Sequence, residues 1–260
     1  MADSTAPVLI TGAAGRIGGF LRPRLLAAGY RLRLLDTAPL STVDAREEVV
    51  LGSITDPPAI AAASAGAAAV VHLAGFATEA QWPDILHSNI HGTWCVLEAA
   101  RAAGVRRVVL ASSNHAVGFE PRGDAALPDD TFPRPDSYYG VSKVAKEALG
   151  SLYADRHGMD VVCLRIGSCA ERPPDRRALS TWLSPDDAGR LVVAALSVPS
   201  PGFRVVWGVS ANTSRWWSAA GGDAIGYHPA DDAEAYVADL PAEPEPAVTR
   251  VGGPWATPHS

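Results

Sequence analysis

The chain has 260 residues, with 22 Lys and Arg against 28 Asp and Glu, a formal net charge of −6, and 47% apolar residues. That length is enough for one large core, and the apolar share with only 19% charged residues excludes a disordered or fibrous chain. The acidic balance argues against nucleic acid as a partner, and an anionic substrate would need a local cationic pocket.

In chain order, Val8–Thr11 is a short branched strand, followed by a Gly-rich turn and an amphipathic helix from about Arg16 to Ala28. Arg31–Leu35 is a second strand that ends on Asp36, and Glu48–Leu51 a third. An alanine-rich helix near Pro57–Ala65 precedes a strand in AVVHLAG, and Ile85–Ala103 has helical spacing closed by Gly104. Arg107–Ala111 is the next strand, Tyr139–His157 a helix closed by Gly158, and Val161–Ile166 another strand. This alternation of short, two-sided apolar strands with helices predicts an α/β fold, a Rossmann-type doubly wound parallel sheet with helices on both faces. Beyond Gly167 the rhythm loosens: Pro185–Leu196 reads as a helix, Arg204–Trp207 as a strand, and Asp231–Leu240 as a short helix before a Pro-rich tail. One domain over residues 1–260 is expected, with about 168–260 adding a small C-terminal, substrate-side appendage and tail.

VLITGAAGRIGGF places Gly12, Gly15 and Gly18 directly after the first strand and at the opening of the first helix. Glycine there permits a tight turn and close backbone approach to a pyrophosphate, which rests on the free N–H groups of the helix N-terminus. Asp36 stands at the roughly 20-residue interval expected for a ribose contact. A carboxylate at that point accepts hydrogen bonds from a 2′-hydroxyl and repels a 2′-phosphate, so NAD is the expected cofactor rather than NADP.

DSYYGVSKVAKEAL sets Tyr139 and Lys143 four apart, on one helix face. A phenol with a pKa of about 10 is a poor base at neutral pH. A nearby lysine cation and the positive end of the helix both favour its phenolate. Tyr138 has no lysine at that spacing, and Lys146 reads as a solvated-face charge.

The strand VVLA ends in Ser112-Ser113-Asn114-His115, four consecutive polar residues. A hydrolase nucleophile is disfavoured because no G-x-S-x-G elbow is present and Ser113 and His115 are two apart on an extended chain. A zinc site is disfavoured because no second histidine has ligand spacing with His115, and His87 and His91 lack a partner motif; no metal is expected. Ser112 is open between a helix cap and a pocket residue.

Together, T-G-x-x-G-x-x-G at Thr11–Gly18, the strand-end serine and Y-x-x-x-K at Tyr139–Lys143 resemble the extended short-chain dehydrogenase/reductase superfamily. Within it, TGAAGRIG, VHLAG, SSNH, RPDSYYGVSK, LRIGSC, RALSTW and VVWG resemble the uronate dehydrogenases over most of residues 7–235. The resemblance implies a homo-oligomeric NAD-dependent oxidoreductase that acts on the C1 hydroxyl of D-glucuronate or D-galacturonate and yields an aldarolactone. It implies Ser113, Tyr139 and Lys143 as catalytic residues. Gly12, Ala14, Gly15, Arg16, Ile17, Gly18, Asp36, Ser53, Ile54, Leu73, Ala74, Gly75, Asn89 and Ile166, with Tyr139 and Lys143, would hold the cofactor. Ala77, Asn114, His115, Ser168 and Arg177 would join Ser113 and Tyr139 at the substrate, Arg177 on its carboxylate. Arg172 and Arg176 read as loop charges and Arg165, inside a strand, as half of a structural ion pair.

Two positions depart from the resemblance: Ala77 replaces a small hydroxyl residue of the sugar pocket, and Ser53 stands where an aspartate commonly faces the adenine. A nucleotide-sugar epimerase or another extended short-chain dehydrogenase is the alternative, although 260 residues leave little room for a nucleotide-binding half. A dinucleotide-sensing regulator would be expected to lack the tyrosine and lysine kept here. Cys95, Cys163 and Cys169 have no C-x-x-C spacing and read as buried reduced thiols. MADSTAP lacks a basic start and an apolar core, and no apolar run reaches the ~18 residues of a membrane span, so a cytoplasmic protein with no membrane partner is expected.

Overall fold

Seven parallel strands form the centre of the computed structural model, which describes residues 6–241 and 249–257. They are β1 (Val8–Thr11), β2 (Leu32–Asp36), β3 (Glu47–Leu51), β4 (Ala69–His72), β5 (Arg107–Ser113), β6 (Asp160–Ile166) and β9 (Phe203–Gly208), in spatial order β3-β2-β1-β4-β5-β6-β9. A separate parallel pair, β7 (Ser168–Cys169) and β8 (Trp182–Leu183), lies outside this sheet. The strand order reverses between β1 and β4, and open sheets of this kind bind ligands beyond the carboxyl ends of their strands at that reversal.

Alternation along each strand divides the core in two, because successive side chains point to opposite faces. Val8 and Ile10 of β1 pack with Leu21 and Leu25 of α1 (Arg16–Ala27) and with Leu191 and Val192 of α7 (Pro185–Ser197). Leu9 between them packs with Ile60 of α2 (Pro57–Ser64), Val96 and Leu97 of α4 (Gly92–Ala102) and Tyr153 of α5 (Tyr138–His157). Both faces are therefore covered, which is why the strands read as continuous apolar runs.

The structure departs from the predicted elements at three informative places. The long fourth-strand crossover is not one regular helix: α3 (Trp82–Asp84) passes into a π-helical segment, Ile85–His91, before α4. β5 runs two residues past the apolar stretch, so Ser112 and Ser113 are strand residues and Asn114–Val117 forms a 3₁₀ turn. Within residues 168–260, α7 and β9 belong to the central sheet and its cover, and Ala233–Asp239 is 3₁₀ rather than α-helix. All three cysteines are buried free thiols, and no helix among the described residues is long and apolar enough to cross a membrane.

Candidate active site

A cleft of about 920 Å³ opens along the carboxyl ends of the strands, lined from the turn after β1 through Asp36, Ser53 and Ser113 to Ser168. Gly12 has φ +73°, and a Cβ built on it would lie 2.7 Å from the Ala74 nitrogen; a Cβ on Gly18 would lie 2.5 Å from the Ala13 carbonyl. The turn thus requires glycine at both points: a left-handed bend at Gly12 and close packing of the helix against the turn backbone at Gly18. Helix α1 starts behind Gly15 with no side-chain cap and no acidic residue in its first turn, so its N–H groups face the cleft unneutralised. Asp36 braces the turn by accepting the Ala14 N–H at 2.9 Å and the Ala38 N–H at 2.9 Å. A bare helix N-terminus donates to a pyrophosphate and a carboxylate one strand away accepts from ribose hydroxyls, the pairing a dinucleotide needs. Arg33 is held elsewhere, by Glu48 and by the Ala63 and Ala65 carbonyls at the end of α2.

Ala14, Gly15, Arg16, Ile17, Ile54, Leu73, Ala74, Gly75, Ala77 and Ile166 also line this cleft, as do Tyr139 and Lys143. Ser53 turns its hydroxyl toward Thr55 at 2.9 Å. Asn89 is buried behind the cleft instead: its amide accepts the Phe76 N–H at 2.7 Å and donates to the Phe76 carbonyl at 3.1 Å and to Ser142 Oγ at 3.0 Å. It ties the loop after β4 to α5 from within the π-helical segment, a distortion that often marks functional sites.

Beside it, Lys143 Nζ donates to the Ala111 carbonyl at 2.9 Å and stands 4.9 Å from the centre of the Tyr139 ring. Ser137 caps α5 by accepting the Gly140 N–H, and Glu79 accepts the N–H groups of Tyr138 (3.2 Å) and Tyr139 (2.8 Å). The positive end of α5 is therefore spent on the Glu79 carboxylate, and Lys143 is the cation beside the Tyr139 ring. Glu79 had no sequence signal, since it lies 60 residues before its partner.

Ser112 and Ser113 separate in role. Ser112 donates to Glu147 Oε1 at 2.6 Å, within a buried cluster completed by the two-pronged Arg165–Glu147 ion pair (2.9 and 2.8 Å). Ser112 is therefore no helix cap: it lines the cleft, but its hydroxyl is committed to Glu147, and Arg165 is the structural partner anticipated. Ser113 accepts the His115 N–H at 3.2 Å and lines the cleft. Lys146 overturns its solvated reading: it is fully buried, and its Nζ has no hydrogen-bond partner among the described residues. Burial first, then the charge of Lys143, holds its pKa well below the ordinary lysine value. Burial likewise keeps His72 far below the usual imidazole range, a neutral ring between Thr11 Oγ1 (2.8 Å) and Thr93 Oγ1 (3.1 Å).

Asn114, His115 and Arg177 do not line the cleft; a C-terminal segment that sequence reasoning left as tail engages all three. Asn114 Nδ2 donates to the Val251 carbonyl at 3.3 Å, and Arg177 Nη2 donates to the same oxygen at 2.6 Å. His115 Nδ1 meets the buried Asp136 carboxylate at 2.8 Å, and its ring stacks on Trp255 at 4.3 Å between centroids. Ser168 contacts Thr181 at 3.0 Å, Arg172 is an exposed partner of Asp239, and Arg176 donates to the Pro241 carbonyl.

This geometry can hold a dinucleotide along the strand ends with a phenol, a lysine and a serine at one end of the cleft. The curated proteins most like this chain include uronate dehydrogenase of Pseudomonas putida, 41% identical over 244 residues that span 92% of this chain and 90% of that one. The NAD-dependent glucose-6-phosphate dehydrogenase of Haloferax volcanii is 37% identical over 88% of this chain and 95% of its own length. Among solved structures, a mutant of uronate dehydrogenase from Agrobacterium tumefaciens complexed with NAD superposes with a TM-score of 0.90 at 39% identity, covering 96% of this chain and 97% of that one. The profile of the NAD dependent epimerase/dehydratase family matches residues 8–196, from the first strand of the sheet to the helix that covers its last, and the chain belongs to that family.

Proposed function

We propose that the chain is a uronate dehydrogenase: it oxidises C1 of D-glucuronate and D-galacturonate with NAD to the aldarolactone. The observation that carries this reading is the single cleft that holds the glycine turn, Asp36, Ser113, Tyr139 and Lys143 together. NAD is the hydride acceptor. When it is bound, Gly12, Gly15 and the first turn of α1 would hold its pyrophosphate, Asp36 its ribose hydroxyls, and Ser53 and Ile54 its adenine. Tyr139 Oη, as phenolate, takes the proton of the anomeric hydroxyl, and the Lys143 ammonium stabilises that phenolate. Ser113 Oγ holds the reacting oxygen in line. Loss of that proton and of a hydride from C1 turns the hemiacetal carbon into the lactone carbonyl, so atoms and charge balance. The hydroxyls and carboxylate of the sugar fall to Ser168, which lines the cleft, and to Asn114, His115 and Arg177, which the C-terminal segment holds outside that lining, because a buried carboxylate needs a cationic, hydrogen-bonded partner. Ala77 leaves room beside the ring without a hydroxyl to direct it.

The chain works as one unit, with residues of about 168–260 supplying the substrate side. Three free thiols suit a reducing compartment, the cytoplasm. Trp82, Leu86 and Trp94 on the crossover, with Tyr138 and Leu152 on α5, are 40–54% exposed and supply an apolar face for a homo-oligomer.

The test is release of free NADH from NAD and each uronate. Tyr139→Phe should reduce turnover by at least about 100-fold while NAD still binds. Retained turnover in that variant would sink the role of Tyr139, and a tightly held cofactor with no NADH released would favour an epimerase.

A further inference from the structure

The described C-terminal residues form a strap across the substrate end of the site. Thr249 accepts the Arg122 N–H (2.9 Å), Val251 donates to the Glu120 carbonyl (3.0 Å), and Gly252 donates to the Gly118 carbonyl (2.9 Å). The strap therefore pairs with the segment that follows Asn114–Val117 through these hydrogen bonds and one antiparallel bridge, Pro121 with Arg250. At Gly252 a Cβ would lie 1.8 Å from Asp136 Oδ2; at Gly253, where φ is +64°, it would lie 2.7 Å from Arg177 Nε. Two successive glycines thus let the backbone pass between Asp136, which holds His115, and Arg177. Beyond them the chain delivers Trp255 onto the His115 ring and to 6.1 Å, edge-on, from the Tyr139 ring.

The arrangement has the marks of a built wall rather than of a chain end at rest. One carbonyl, that of Val251, fixes both Asn114 and Arg177. Trp255 remains 36% exposed although Tyr139 beside it is 7% exposed. Trp255 is outside the cleft lining and reaches it through Tyr139; the part of the indole that His115 leaves open is a flat apolar surface, and a pyranose presents such a surface on the face where its axial C–H groups gather. We propose that Trp255 is a specificity-determining residue, the aromatic wall against which the sugar ring lies, with the strap locking Asn114 and Arg177 in the orientation that meets the sugar. This rests on the reading of the site as one that oxidises a sugar at C1.

The experiment compares wild type, Trp255→Ala, Trp255→Phe and Gly253→Ala, with KM and kcat measured for the sugar, KM for NAD, and thermal melts of each. The sugar is whichever of the uronates, aldoses and hexose phosphates wild type oxidises best. A preference for a sugar other than a uronate overturns the functional reading, and the same comparison then still judges Trp255. Loss of one stacking surface should raise the sugar KM of Trp255→Ala roughly five- to tenfold. NAD KM should stay within about twofold, and Trp255→Phe should recover most of the loss. Gly253→Ala, which drives a methyl into Arg177, should raise the sugar KM in the same direction. An unchanged sugar KM in Trp255→Ala overturns the proposal. So does a parallel rise in both KM values with a lowered melt, which marks a structural role, and so does a Trp255→Phe variant as impaired as Trp255→Ala.

Discussion

Ser112 and Ser113 adjoin on β5, and period-two geometry gives them opposite employment. The first completes the buried Glu147–Arg165 cluster; the second caps the 3₁₀ turn and lines the cleft. Ser113→Ala should therefore lower kcat, by roughly 10-fold or more if it helps to hold the developing charge on the reacting oxygen. Ser112→Ala should instead lower stability by about 1–2 kcal/mol, seen as an earlier denaturant midpoint with an unchanged sugar KM. Reversed outcomes would exchange the two roles. The sequence displayed four polar residues at a strand end but could not divide them, because the division depends on which face of β5 each one takes. Tyr139 and Lys143 were legible for the opposite reason: their relation is internal to one helix and fixed by its pitch.

At the scale of elements, the turn between β1 and α1 was readable because its constraint is local. Gly12 must take a left-handed φ whatever surrounds it, and the close approach of Ala74 adds to that demand. Gly12→Ala is expected to cost about 1–3 kcal/mol of stability through backbone strain. It should also raise the NAD KM, since the first turn of α1 is displaced from the pyrophosphate; titration of NAD by intrinsic fluorescence, beside a melt, checks both. A variant that melts earlier yet binds NAD as before would show that the bend serves the fold alone. The π-helical segment over Ile85–His91 had no comparable signature, since apolar spacing across it remains helical. What sustains it is Asn89, held by Phe76 and Ser142, two residues from different elements. Glu79 on the end of α5 escaped for the same reason.

For the whole molecule, Lys146 links fold stability to pH. It is a fully buried residue of α5, with Lys143, Cys163 and the neutral His72 ring as its charged or titratable neighbours. A lysine pKa depressed in the folded state means that the unfolded chain binds the extra proton. Stability is then highest above the ordinary lysine value of 10.5 and declines as pH falls, until the folded group itself protonates. Between the depressed folded value and the ordinary one, wild type should gain up to about 1.4 kcal/mol per pH unit relative to Lys146→Met as pH rises. Lys146→Met, which places an apolar chain of similar length in an apolar site, should be the more stable protein at neutral pH. Identical pH slopes in denaturant melts of the two would show that Lys146 is charged in the folded chain. A second test at this scale is sedimentation: the exposed apolar face shared by the crossover and α5 predicts an oligomer that Trp94→Glu weakens, and a wild-type monomer would refute it.

What the sequence determined by itself is whatever one short segment enforces alone: the strand–helix alternation, the glycine turn with its acidic residue, and the tyrosine–lysine pair. Those features carried the doubly wound sheet and the dinucleotide chemistry. The tertiary structure alone decided the surroundings of the fifth strand's end, where Asp136 meets His115, the Val251 carbonyl joins Asn114 to Arg177, and Trp255 stacks on His115. Those partners are 21, 137, 74 and 140 residues apart. Local propensity has no purchase at such separations, and only tertiary packing brings Val251 and Trp255 back to Asn114 and His115 at the end of the fifth strand.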